Sequence, residues 1–192
     1  MTSAHHIKLR RLLPARPVLL VLDFDGVLTD NFVYVDQNGV ESVRCSKEDG
    51  MGLALVRKAG LSVIILSSEE NPVVQRRAEK LRVPCISGVA DKTAAFRQLL
   101  AQRGVAAADV IFVGNDANDV GCLREAGCGL VVADAHPSAA DAAVGVLSRP
   151  GGRGAVRELC DVLLTVLSDD AVGDAEHGNT DAAPKAYARE AA

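Results

Sequence analysis

Short apolar runs alternate with longer stretches whose apolar residues recur at helical spacing. Val18–Leu22, Leu61–Leu66, Val110–Val113 and Gly129–Ala133 are rich in Val, Ile and Leu and bounded by Gly, Asp or Ser. That pattern predicts buried parallel strands. Between them, Met51–Ala59, Pro72–Leu81, Lys92–Arg103 and Val120–Ala126 carry helical patterns, with Ala95, Phe96, Leu99 and Leu100 on one stripe of the third. Pro72 suits a first helical turn and Asn71 its cap. Strands alternating with helices require crossover connections. The fold class expected is therefore α/β, a three-layer, Rossmann-like, doubly wound parallel sheet.

Two segments break this rhythm. Phe32–Val35 and Val40–Arg44 flank Asp36-Gln37-Asn38-Gly39, and Asn-Gly between apolar stretches predicts a β-hairpin flap. Arg149-Pro150-Gly151-Gly152-Arg153-Gly154 reads as a mobile loop before a helix over Ala155–Leu167. From Ser168 onward the chain is rich in Ala, Asp and Gly and nearly free of large apolar residues, which predicts a disordered tail. The domains expected are a flexible arm over residues 1–16, a folded unit over 17–167 and the tail over 168–192.

Composition narrows the partners. The net charge of -4 resides in the tail, where six acids face Lys185 and Arg189, so nineteen acids and nineteen bases remain in the body. A neutral body without a basic stripe argues against nucleic acid. No apolar run approaches the ~20 residues that span a membrane. The start, MTSAHHIKLRRLLPARP, lacks the apolar centre of a secretion signal. Five scattered cysteines without CxxC spacing suit a reducing compartment. The expectation is a cytoplasmic protein.

The chemistry concentrates at Asp23-Phe24-Asp25-Gly26-Val27-Leu28-Thr29-Asp30. A buried strand there ends in two carboxylates separated by one residue, and the carboxyl ends of strands are where open α/β sheets bind ligands. Adjacent carboxylates stay ionised only if a cation or proton relieves their repulsion, and Mg2+ prefers hard oxygen donors.

DFDGVLTD, SKEDGMGLALVRKAG, ILSSEENPVV, Asp91-Lys92, VGNDANDVGCL, VADAHP and PGGRGAVREL together resemble the capless branch of the haloacid dehalogenase superfamily. That branch includes 3-deoxy-manno-octulosonate 8-phosphate phosphatases and the phosphatase-like domain of bacterial acylneuraminate cytidylyltransferases. The resemblance implies a nucleophile at Asp23 and an acid–base at Asp25 that also lends its carbonyl to Mg2+. It further implies a phosphoryl contact at Ser67, a charge-balancing Lys92, and metal ligands among Asp23, Asp25, Asn115, Asp116 and Asp119. Thr29, Asp49, Gly50, Ser68 and Arg153 are expected at the substrate, with the glycine-rich loop closing over it. A homotetramer built through the hairpin is implied too. Read without the resemblance, Ser67 caps a turn and Lys92 opens a helix as a solvated residue.

Two positions depart from the pattern. Asn115 stands where the group usually carries an acidic metal ligand, and Ser67-Ser68-Glu69 replaces Thr-Gly-Arg. The expected activity is hydrolysis of a sugar-acid phosphate of the octulosonate 8-phosphate or sialic-acid 9-phosphate type. The alternative is a weakly active oligomerisation domain.

Overall fold

The computed structural model describes residues 4–176, with side chains through Asp169. In chain order the elements are α1 (Ala4–Arg10), β1 (Leu19–Leu22), β2 (Thr29–Val35), β3 (Glu41–Cys45), α2 (Lys47–Lys58), β4 (Ser62–Leu66), α3 (Val73–Leu81) and β5 (Cys85–Ile86). They continue with α4 (Lys92–Arg103), β6 (Val110–Gly114), α5 (Val120–Glu125), β7 (Cys128–Val131), α6 (Pro137–Ala140), β8 (Gly145–Val146) and α7 (Ala155–Glu176). Six strands form one parallel sheet in the order β5-β4-β1-β6-β7-β8, and β2 and β3 form a separate antiparallel hairpin.

Alternate residues of each strand feed opposite faces, as a two-residue period requires. Leu20, Leu22, Val63, Ile65, Ile111 and Val113 pack with Leu53 and Val56 of α2, Val74 of α3 and Leu159 and Leu163 of α7. Leu19, Val21, Ile64, Leu66, Val110 and Phe112 pack with Phe96, Leu99 and Leu100 of α4 and Leu123 of α5. Phe96 and Phe112 meet edge to face at 5.7 Å between ring centres, which favours a fixed packing over a merely greasy one. The expected three layers are thus present, with β1 at the centre.

The termini of the fold differ from expectation. Residues 4–10 form a helix docked on α7, with Leu9 buried, His5 Nε2 2.8 Å from Glu158 Oε1 and Arg10 paired to Asp169. Leu9 and Leu13 recur four apart within a basic run, so one apolar stripe suffices to seat the segment. The last helix continues to Glu176, nine residues beyond the expected stop. The remainder of the expected tail lies outside the described residues. The glycine-rich loop, expected as a mobile cover, is packed into the fold: Gly151, Gly152 and Gly154 are buried, and Arg153 between them is exposed.

Candidate active site

Three adjacent strand tips assemble the site. β4, β1 and β6 are paired in parallel, with Leu22 opposite both Ile65 and Val113. Asp23 lies one residue beyond that level and Ser67 and Asn115 two beyond it, each just past the end of its strand, so the three emerge on neighbouring tips. Each is nearly closed to solvent, at 1%, 4% and 6% exposure. The Asp23 N–H donates to the Val113 carbonyl at 2.9 Å and the Ser67 N–H to that of Ile86 at 2.9 Å. The ladder therefore fixes the backbone beneath both side chains.

Lys92, the first residue of α4, reaches this edge from the side. Its Nζ donates to Asp23 Oδ1 at 2.8 Å and to Asp119 Oδ1 at 2.7 Å. Asp91 sets the helix start by accepting the Ala94 N–H at 2.9 Å. Burial alone would depress the Lys92 ammonium, but Asp23 and Asp119 hold it above its ordinary value. Two buried carboxylates against one ammonium leave an excess negative charge. Burial, and then Asp119, push Asp23 up to about 7 despite Lys92. A second cation is what this cluster lacks electrostatically.

A place for one is visible in the oxygens. Asn115 Oδ1 faces Asp23 Oδ2 at 3.1 Å and the Asp25 carbonyl at 2.9 Å. Three acceptors this close repel unless the amide turns over and donates to both, or a cation sits among them. The edges of a Mg2+ octahedron with ~2.05 Å ligand distances are about 2.9 Å. The trio therefore fits magnesium, with one carboxylate, one main-chain carbonyl and one amide oxygen as donors. No group of three His, Cys, Asp or Glu among the described residues gathers as a metal site, because only one of these donors is an acid.

Asp25 is half-buried, and burial raises its carboxyl above the ordinary range against an opposing hydrogen bond from Thr29. Thr29 Oγ1 donates to Asp25 Oδ1 at 3.1 Å and accepts from the N–H groups of Gly26 and Asn31 at 3.1 and 3.2 Å. One oxygen of Asp25 is thereby held while the other stays available in a cavity of about 660 Å³.

That cavity brings together Asp23, Asp25, Ser67, Ser68, Asn115 and Asp116. Glu69, Glu70, Asn31, Ala117 and Asn118 complete its rim. Asn31 escaped the sequence reading. Its φ of +62° is a conformation that Asn tolerates better than most residues, and its place right after the acidic motif was the available signal. Asn118 reaches Ser68 Oγ at 3.4 Å.

Several expected site residues make other contacts or lie outside the cavity. Asp119 has both oxygens engaged within the chain: Lys92 holds one, and the Asn115 and Asp116 N–H groups hold the other at 2.8 and 3.3 Å. Asp116 lines the cavity but caps the turn at Ala117–Asp119, accepting the Ala117 N–H at 2.6 Å. Thr29 is wholly buried behind Asp25 and does not line the cavity. Asp49 is 1% exposed and accepts the Arg157 N–H at 2.8 Å, so it caps α7 rather than meeting substrate. Gly50 borders a different hollow, with Arg57, Lys58, Lys80 and Arg82. Arg153 is exposed, does not line the cavity, and its N–H closes a turn onto Pro150 at 3.3 Å.

A parallel sheet with a carboxylate, a hydroxyl and an amide on consecutive central strand tips, backed by a buried lysine, defines a phosphoryl-handling α/β hydrolase. Residues 77–154 match the haloacid dehalogenase-like hydrolases, and the chain belongs to that family. It is 35% identical over 165 residues to the 3-deoxy-D-manno-octulosonate 8-phosphate phosphatase of Salmonella typhi, covering 85% of this chain and 82% of that protein. A solved structure from Streptomyces avermitilis assigned to the same family is 42% identical, with a TM-score of 0.76 over 78% of this chain and 86% of its own. The octulosonate 8-phosphate phosphatase of Moraxella catarrhalis, solved with magnesium, phosphate and the sugar acid, is 25% identical. Its TM-score is 0.77 over 92% of this chain and 99% of its own.

Proposed function

We propose that this protein is a magnesium-dependent phosphatase that releases phosphate from a sugar-acid phosphate through an aspartyl-phosphate at Asp23. The oxygen trio of Asp23, Asp25 and Asn115 carries the reading. Those three residues would hold Mg2+, and bound there it supplies positive charge against the phosphoryl oxygens.

The remaining steps fall to the chain. Asp23 Oδ2 faces the metal donors, so Oδ1, steadied by Lys92, is the oxygen that attacks phosphorus. A bond forms from Asp23 to phosphorus while the bond to the sugar oxygen breaks. Asp25, whose carboxyl burial raises above its ordinary range, gives its proton to that leaving oxygen. The carboxylate so formed then takes a proton from water. The resulting hydroxide adds to phosphorus, releasing inorganic phosphate and restoring Asp23. Ser67, buried at the neighbouring tip, is placed to donate to a phosphoryl oxygen, and Lys92 offsets charge that moves between Asp23 and phosphate.

An eight- or nine-carbon sugar acid is the substrate class that the relatives support. Glu69 on the cavity rim disfavours a sugar carboxylate directly beside it, which keeps the longer sialic-acid type beside octulosonate 8-phosphate. The hairpin supports assembly into a homotetramer: Phe32, Tyr34, Val35 and Val40 are each at least 60% exposed, an apolar patch of the kind that marks an interface. The five free cysteines suit the reducing cytoplasm, and no helix among the described residues is long and apolar enough to cross a membrane.

Phosphate release from a panel of sugar phosphates, with Mg2+ and with chelator, tests the reading. Turnover that needs metal and that Asp23→Asn removes is expected. Silence in the wild type, with activity recovered by Asn115→Asp, supports the oligomerisation-domain alternative instead.

A further inference from the structure

The Gly151–Gly152 step touches the metal-binding turn rather than the substrate cavity. A Cβ on Gly151 would lie 1.9 Å from the Gly26 carbonyl oxygen, and one on Gly152 would lie 2.5 Å from the Thr29 carbonyl carbon and the Asp30 nitrogen. The Gly152 N–H donates to the Val27 carbonyl at 2.9 Å. On the opposite side of the same turn, a Cβ on Gly26 would lie 1.9 Å from Asn115 Nδ2. The turn is clamped between Asn115 and Gly151, with no room for a methyl group on either side.

The loop itself is tied down from two directions. Asp134 Oδ1 accepts the Gly151 N–H at 2.9 Å, and the Ala133 N–H donates to the Arg149 carbonyl at 3.1 Å. Further back, buried Glu158 accepts both the N–H of Ser148 at 3.0 Å and its hydroxyl at 2.9 Å. The chain of contact runs from Asp134 through Gly151 to the Gly26 peptide. Its neighbour, the Asp25–Gly26 peptide, carries the carbonyl that faces Asn115, and the Gly26 N–H in that peptide is fixed by Thr29.

We propose that Asp134 and Gly151 are positioning residues for metal binding, holding the Asp25 carbonyl at the spacing that a small octahedral cation demands. The proposal rests on the magnesium reading above. Mg2+ tolerates little departure from its geometry, so a displacement of a few tenths of an ångström in one donor should register as lost affinity. Outer residues that orient metal ligands typically contribute about 10- to 100-fold.

Direct Mn2+ binding, followed by electron paramagnetic resonance on the full chain without substrate, tests this. Gly151→Ala should bind about 10- to 100-fold more weakly. Asp134→Ala should weaken binding less, and Asp134→Asn, which keeps an oxygen acceptor for the Gly151 N–H, should restore it. Melting of the metal-free proteins separates positioning from general destabilisation. Asp134 is exposed, so its variants remain folded and decisive should Gly151→Ala fail to fold. Wild-type binding with unchanged affinity in Asp134→Ala overturns the positioning role alone. A wild type that binds no Mn2+ overturns the magnesium reading with it.

Discussion

The strand tips and the hairpin treat side chains in opposite ways. At the tips of β4, β1 and β6, charged and polar groups are withdrawn from water, and Asp23, Lys92 and Asp119 are each held by a partner within the chain. On β2 and β3, apolar side chains face solvent: Phe32 is 68% exposed and Tyr34 61%. The first arrangement costs desolvation and is repaid only if the groups are paired and put to use. The second leaves apolar area in water that only another surface can cover. The tips are thus paired within one chain except for the cation they lack, while the apolar face of the hairpin is left in water.

The largest expected effect attacks the first region. Asp23→Asn should lower kcat by about three orders of magnitude or more while the fold is retained, because it removes the proposed nucleophile. Steady-state phosphate release and circular dichroism check it together. Next, Lys92→Met should lower stability by about 3–5 kcal/mol in metal-free protein, since it leaves two buried carboxylates without their cation. Urea unfolding with and without Mg2+ measures that, and Mg2+ should recover part of the loss.

A smaller effect lies in pH. Without metal, Asp23 is pushed up to about 7, so at lower pH its carboxyl holds a proton that metal binding must expel. Apparent Mg2+ affinity should fall about tenfold for each unit of pH below that value and level off above it. Calorimetric titration between pH 5 and pH 8.5, as rough bounds, follows this slope. Smallest of all is the effect of the hairpin on the protomer. Tyr34→Asp should change its stability by less than about 0.5 kcal/mol, yet sedimentation should show the proposed tetramer dissociating.

Much of this was legible along the chain because parallel strands covered on both faces must be apolar throughout, as Leu19–Leu22 and Ser62–Leu66 nearly are. The two-residue strands Cys85–Ile86 and Gly145–Val146 carry no period to detect. At the site, Asp23, Ser67, Lys92 and Asn115 came together as their motifs required, since each sits on or just after a regular element. Asp49 and the glycine-rich loop were misplaced for a common reason. Asp49 caps a helix 108 residues away, and Gly151 is small because of Gly26. Neither constraint leaves a local signature, so an acid before glycine read as a site entrance and three glycines read as mobility.

One measurement reaches the central claim, that the side chain at position 23 accepts the phosphoryl group. Enzyme turning over a labelled phosphomonoester is quenched in acid and treated with borohydride, which reduces an acyl phosphate to an alcohol. Mass spectrometry of the peptide spanning residues 19–30 should then show homoserine in place of Asp23. Full turnover with that peptide unmodified, or with the alcohol formed at another residue, contradicts the account.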